Sequence, residues 1–373
     1  MLEESVVLLR GVIEAEPSRL DWKRDLTVSL GQLSDLLEDA GGTEDAQRLS
    51  EEGLALMREL VEAEPGRLDW KKDLAVALGR ASNRLARRES FEEAQQISEE
   101  ELQFMRELVR AEPKRLDWKT DLTVSLVRLG YILEAMGKTD DALRLSEESL
   151  GLMRDLAGTE PGRLDLKREL TVSLRQRSEL LTSAGREEEA RGLAEEDLRL
   201  TRELVEAAPD RLDRKWELVT TLNRLAAICL VLGKAELARS VAEESLSLRR
   251  DMRPEGAGDP DSTYEVLVGL GTLARTRPIT EVCTSGYLGE AEELWNQLDE
   301  SFRAMPRVQL ERVRMLCLRA CLDPRGPDAD GLEEARRILE EQAGRGNVAF
   351  KVLCMREDLR LAEEAVRAAR GQW

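Results

Sequence analysis

Apolar residues along this chain fall at helical spacing, and the spacing itself repeats. Leu26, Leu30, Leu33 and Leu37 recur at i, i+4, i+7 and i+11, which predicts one face of a helix over roughly residues 20–40. Gly41–Gly42 breaks that pattern, matched later by Gly137, Gly185 and Gly233. A second helix is predicted over roughly 44–62, carrying Ala46, Leu49, Leu56 and Leu60 inward. The pair then recurs. Pro17, Pro65, Pro113, Pro161 and Pro209 are each 48 residues apart, and the five blocks they open, 17–64, 65–112, 113–160, 161–208 and 209–256, align without a gap. Twelve columns are identical in all five blocks: in the first they are Pro17, Arg19, Leu20, Asp21, Lys23, Leu26, Leu30, Ala46, Glu51, Glu52, Leu54 and Arg58. Proline ends one block's second helix, and Asp21 suits the N-cap or first turn of the helix that follows.

The register extends past the regular blocks at both ends. Residues 1–16 match the second half of a block, with Glu3, Glu4 and Arg10 aligned to Glu51, Glu52 and Arg58. Met1 therefore falls inside a helix, and Val6, Val7, Leu9 and Ile13 are expected to lack the helix that covers this face elsewhere. That edge predicts either a further repeat upstream or self-association. After the Gly- and Pro-rich stretch from Pro254 to Pro260, Leu270, Gly271 and Leu273 keep the register of a degenerate sixth pair over 257–305, with an insertion near 276–287. Residues 307–373 read as a C-terminal helical cap of three helices, over 307–322, 330–343 and 348–370.

The short elements resemble tetratricopeptide repeats. In the third block Leu129–Gly130 precede Leu133, and Ala142 lies twelve residues after Gly130, the family's spacing from its first-helix Leu-Gly pair to its second-helix alanine. Small residues hold the same places in the other blocks, as Ser34, Ser82, Ser178 and Ala226, and as Ala46, Ala94, Ala190 and Ala238. Two departures stand out. The period is 48 residues against about 34 in the family, and the second-helix aromatic is replaced by Ser50, Ser98, Ser146, Ala194 and Ala242. The resemblance implies an all-α fold, a right-handed α-solenoid of antiparallel helix pairs. It also implies that a partner binds on the concave surface lined by first helices, and it implies no enzymatic activity.

Composition narrows the function further. The 75 acidic against 56 basic residues leave a net charge of −19, which opposes a phosphate backbone and argues against nucleic acid as the partner. The chain has no histidine, so the commonest general base and the usual zinc ligand are both missing. Five cysteines, Cys229, Cys283, Cys317, Cys321 and Cys354, form no metal-ligand spacing and suggest a reducing compartment. No Gly-rich phosphate loop follows a strand, and no serine or cysteine has a base beside it. With no signal peptide and no apolar run long enough for a span, the expected location is cytoplasmic and off the membrane. Neither a catalytic residue, a cofactor nor a metal is expected.

The charges repeated in every block, Arg19, Asp21, Lys23, Glu51, Glu52 and Arg58, are read as pairs that hold block against block, and Trp22, Trp70 and Trp118 as packing at the junctions. Residues that differ between blocks at an exposed register are better placed to serve a ligand. The resemblance puts two such columns on the concave wall: Gly31, Gly79, Val127, Arg175, Asn223 and Asp35, Asn83, Tyr131, Glu179, Ala227. Tyr131, Arg175, Glu179 and Asn223 are the candidate partner-binding residues, since tyrosine and arginine are enriched at interface hot spots and asparagine can bond an extended backbone. The expected function is a non-catalytic scaffold for a peptide or protein partner. The alternative is a regulatory or sensor arm of a larger bacterial multidomain effector, linked to a protease or NTPase.

Overall fold

The computed structural model describes residues 2–16, 18–39, 43–252, 260–276, 286–322, 331–342, 359–360 and 362–369, all helix or the turns between helices. Met1, Pro17, Gly41–Gly42, Cys283, Cys354, the insertion near 276–287 apart from its ends, and most of the expected helix over 348–370 lie outside the described residues. The chain divides into two compact units, Met1–Ala184 and Gly185–Trp373.

The first unit contains α1 (Leu2–Ala15), α2 (Leu20–Asp39), α3 (Thr43–Ala63), α4 (Leu68–Arg87), α5 (Phe91–Ala111), α6 (Leu116–Ala135), α7 (Thr139–Thr159) and α8 (Leu164–Ser183). Each helix packs on the one before and the one after, joined by turns too short for anything but antiparallel neighbours. That is the construction of an α-solenoid. The core of each junction is aliphatic, and around α6 it comprises Leu122, Leu126, Leu129 and Leu133 with Leu102, Met105 and Leu108 of α5. Asp69, Asp117 and Asp165 sit in the first turns of α4, α6 and α8, while Arg67, Arg115 and Arg163 hold the N-cap positions. The repeated aspartate is thus a first-turn acid facing the positive helix end, not an N-cap.

Small residues let the two helices of a pair approach. Ala46, Ala94 and Ala142 are fully buried, and the serine opposite each of the first two turns proximity into a bond. Ser34 Oγ donates to the carbonyl of Ala46 at 2.6 Å, and Ser82 Oγ to that of Ala94 at 3.1 Å. The turn inside a pair needs a left-handed residue: Gly137, Gly185 and Gly233 have φ of +74°, +71° and +69°. In the second block that place falls to Glu89, at φ +61°. A β-carbon there costs about 1 kcal/mol, so Glu89→Gly is expected to stabilise the chain by up to about that amount. A higher thermal midpoint than wild type is the result to look for.

The repeated charges hold the stack together. Arg10–Glu52, Arg58–Glu100 and Arg106–Glu148 each close at 2.6 Å, linking the second helix of one pair to that of the next. Lys23–Glu59 and Lys71–Glu107, at 3.2 and 2.9 Å, join the two helices of a pair. Arg67 and Arg115 grip Asp69 and Asp117 and lie over the rings of Trp70 and Trp118, which are buried at the junctions. Each half-exposed pair contributes only about 0.2–1 kcal/mol, but the same geometry returns in several successive blocks.

The N-terminal edge departs from expectation at Val6 and follows it at Val7. Val6 is buried against Leu26, Leu30 and Leu49, with Leu9 and Ile13 packed on the same cluster. The helix α1 packs on α2 as α3 packs on α4, but Leu9 and Val12 are only half-buried where the equivalent Met57 and Leu60 are buried. Val7 and Leu8, on the opposite side, are the exposed apolar residues.

The second unit contains α9 (Glu187–Ala207), α10 (Leu212–Val231), α11 (Ala235–Met252), α12 (Pro260–Arg275), α13 (Tyr287–Gln297), α14 (Glu300–Arg303), α15 (Pro306–Leu322) and α16 (Gly331–Gln342). The charge ladder continues here in Arg202–Glu244 at 2.5 Å and Arg250–Glu290 at 2.8 Å. A separate core gathers Leu310, Val313 and Leu316 of α15, Ile338 and Leu339 of α16, and Leu359, Ala362 and Val366. Cys317 is buried in that core, with Cys321 at its margin, and Cys229 is buried within α10. Burial pushes the Cys229 thiol above its ordinary pKa, which keeps it protonated and inert.

Candidate ligand face of the first helices

The first helices of the first unit turn one strip outward. Val28, Val76 and Val124, equivalent residues of α2, α4 and α6, are exposed, and Tyr131 lies seven residues beyond Val124 on the same side of α6 at 41% exposure. Arg175 and Glu179 follow on α8, which touches α6 directly. Arg175 and Glu179 are half-buried, and Arg175 Nε has no hydrogen-bond partner. Asn223 belongs to α10 in the second unit, where its Oδ1 accepts a 2.8 Å bond from Ser245 Oγ, so part of its bonding capacity is spent internally.

Beside Tyr131 the strip is acidic. Burial first, and then the nearby Glu179 carboxylate, raise the pKa of Glu134 above the usual carboxylate range, against a 3.4 Å bond from Ser183 Oγ. With its folded pKa raised, Glu134 binds a proton more readily in the folded chain than in the unfolded one. Stability therefore falls as pH rises from the ordinary carboxylate pKa through the raised one. Glu134→Gln is expected to raise stability at neutral pH and leave it unchanged in acid, a difference that urea unfolding at the two pH values would expose.

Sequence reasoning missed a second feature, a set of buried polar pairs between blocks. Glu101 of α5, its side chain only 6% exposed, takes two bonds from Arg128 Nη1 of α6, both at 2.6 Å, and a third from Ser125 Oγ at 2.6 Å. Arg128 Nε also donates to Asn83 Oδ1 at 3.0 Å. Gly79 admits this arrangement, since a β-carbon there would collide with Arg128 Nη1 and stand 2.9 Å from Glu101 Oε1. In the second unit Asp197 of α9, almost wholly buried, meets Arg224 of α10 at 3.5 Å and Thr221 at 3.3 Å. The intervening junction is neutral: Ser149 bonds Ser173 at 3.1 Å, and Gln176 Nε2 donates to the carbonyl of Val127 at 2.7 Å. A signal existed in the sequence. The column Glu101, Ser149, Asp197 changes in step with Arg128, Gln176, Arg224 of the following block, and Gly53 opposite Arg80 is the exception.

The column of Gly31, Gly79, Val127, Arg175 and Asn223 therefore has a structural duty in its first members. It leaves room for the side chain arriving from the next block. Among the described residues no group of Cys, Asp and Glu could hold a metal ion, and no helix is long and apolar enough to cross a membrane.

No protein-family model matches this sequence, and no curated protein matches it. Solved structures do. The apo form of RapI is similar over 99% of this chain and 98% of its own, at 10% identity and a TM-score of 0.53. A signal-transduction ATPase with a tetratricopeptide-repeat sensor, PH0952 from Pyrococcus horikoshii, is similar over 95% of this chain at 13% identity and a TM-score of 0.53. The similar region spans 48% of that ATPase, about half its length. BtubC from P. vanneervenii is similar over 67% of this chain and 89% of its own, at 16% identity and a TM-score of 0.50. At these identities the likeness establishes the fold alone: a tetratricopeptide-like helical repeat, all-α.

Proposed function

We propose that this chain is a non-catalytic, cytoplasmic scaffold that binds a peptide or protein segment along the concave face formed by its first helices. The observation that carries the reading is the outward strip of Val28, Val76, Val124 and Tyr131, apolar side chains left exposed on adjoining helices whose other faces are closed. Tyr131 supplies a rigid ring with a polar tip, Arg175 a guanidinium fork and Glu179 a polar contact, and Asn223 of the second unit is a further candidate contact. The net charge of −19 favours a protein over a nucleic acid.

The test begins with affinity capture from the native host and continues with titration of the captured partner against Tyr131→Ala and Arg175→Ala. Truncating a hot-spot side chain costs about 2 kcal/mol, roughly thirtyfold in affinity. Circular dichroism must show both variants helical. Binding within about twofold of wild type by each would remove this face as the site.

The likeness to the repeat sensor of PH0952 favours one second reading, a sensor arm of a larger effector. The reading frame on either side of the coding sequence decides it: an adjoining NTPase or protease domain supports the sensor arm, and a stop on both sides rejects it.

A further inference from the structure

The junction between the first two blocks breaks the rule that the next three junctions obey. Where a second helix carries an acid, Glu101 or Asp197, the next first helix brings an arginine, Arg128 or Arg224, to meet it. Where it carries serine, the next brings glutamine. At the first junction the arginine is present as Arg80, but the acid position is Gly53. Arg80 lies over Gly31, 3.6 Å from where a β-carbon would stand, just as Arg128 lies over Gly79. The missing carboxylate leaves a cleft of about 210 Å³ between α2, α3 and α4, lined among others by Thr27, Ser50, Gly53, Arg80 and Arg84.

Two guanidinium groups line the cleft, those of Arg80 and Arg84. Arg84, more than nine-tenths buried, occupies a column that is Leu36, Ile132, Leu180 and Ile228 in the other blocks. It donates to Asp35 Oδ1 at 3.0 Å and to Ser50 Oγ, while Arg80 reaches Asp35 Oδ2 at 3.3 Å. Asp35 thus stands within ion-pair distance of both guanidinium groups. Asp73, also on the wall, is committed to Arg24 at 2.6 Å. The cleft opens beside Val28 and Val76, the exposed valines of the strip.

We infer that this cleft is a binding site for an aspartate or glutamate side chain of the partner polypeptide, whose carboxylate takes the place that Glu101 fills at the next junction. The inference deepens the proposed function and rests on it for the source of the carboxylate. A water needs only about 10–15 Å³, so 210 Å³ accommodates the carboxylate and its methylenes. Charge-assisted bonds to two arginines in a half-enclosed cleft supply the discrimination against the amide.

The full chain can be tested without its partner. The probe is N-acetyl-glutamate methylamide, followed through the Nε–Hε resonances of Arg80 and Arg84. Saturable shifts are expected, at least roughly tenfold weaker with N-acetyl-glutamine methylamide, and lost in Arg80→Gln. Inorganic phosphate is a separate arm: if it binds as well as the glutamate probe, the site is a general anion site and the inference is overturned. Gly53→Glu supplies the carboxylate internally. A β-carbon at residue 53 would meet only Leu30 Cβ at 3.7 Å and the Thr27 carbonyl at 3.8 Å, ordinary contacts, so the variant is expected to fold with an unchanged or higher thermal midpoint and to abolish the probe's shifts. Unmoved arginine resonances, or a Gly53→Glu chain that still binds the probe, would overturn the inference. If a partner is captured that depends on Tyr131 but ignores Gly53→Glu, this inference falls and the proposed function stands.

Discussion

Arg128→Met is expected to lower the stability of the first unit by about 3 kcal/mol or more. The arginine makes the two 2.6 Å bonds to Glu101, whose side chain is 6% exposed while that of Arg128 is 17% exposed. Removing the cation leaves Glu101 charged and shielded from water, with Ser125 Oγ as its remaining donor in the cluster. The large loss comes from that stranded charge rather than from the worth of the pair itself. The chain supplies its own control, because the next junction solves the same problem with Ser149 and Gln176. Glu101→Ser combined with Arg128→Gln copies that solution and should recover most of the loss, to within about 1 kcal/mol of wild type. The comparison is a double-mutant cycle read by hydrogen exchange in α5 and α6, because a helical array need not unfold in one step. A single variant within about 0.5 kcal/mol of wild type would mean that the carboxylate reaches water.

The helix pairs were legible because two local signals agree in each block: leucines at helical spacing and a breaker at a fixed offset. Leu26, Leu30, Ala46 and Leu54 are buried, as their spacing requires. Less was legible about what each recurring or varying column does. Variation among Gly31, Gly79 and Val127 reads as freedom to serve a ligand, yet Gly79 is small because Arg128 lies on it. The partner residue is 49 positions away, on another helix, and only a comparison of columns one block apart brings the two together. Recurrence misleads in the opposite direction. Val28, Val76, Val124 and Val172 recur like a stacking column, but the first three face solvent. The helical wheel held that information: Val124 stands two residues before Leu126, about 200° around the axis from the core face. Tyr131 is exposed on α6, whereas the internal bond of Asn223 depends on Ser245 of a different helix and has no trace in its own column.

Leu126→Ala and Val124→Ala, two residues apart on one helix, are expected to separate stacking from binding. Leu126 is fully buried in the cluster that joins α5 and α6, with Leu102, Met105 and Leu122 around it. Cutting it to alanine removes one methine and two methyl carbons from a packed site and leaves a cavity, a loss of about 2–5 kcal/mol. Close packing against Met105 and Leu122 leaves little room for collapse, which favours the upper part of that range. Val124 is 40% exposed, and alanine is the better helix former, so its truncation should change stability by no more than about 0.5 kcal/mol in either direction. Its effect belongs to the partner: a side chain in the exposed strip that leads to Tyr131 should weaken binding when removed, by roughly 1 kcal/mol or about fivefold. Chemical denaturation gives the first pair of numbers and titration of the captured partner the second. If Val124→Ala lost stability instead and kept its partner, the valine column would belong to the stack, and the ligand face would have to be sought on another side of these helices.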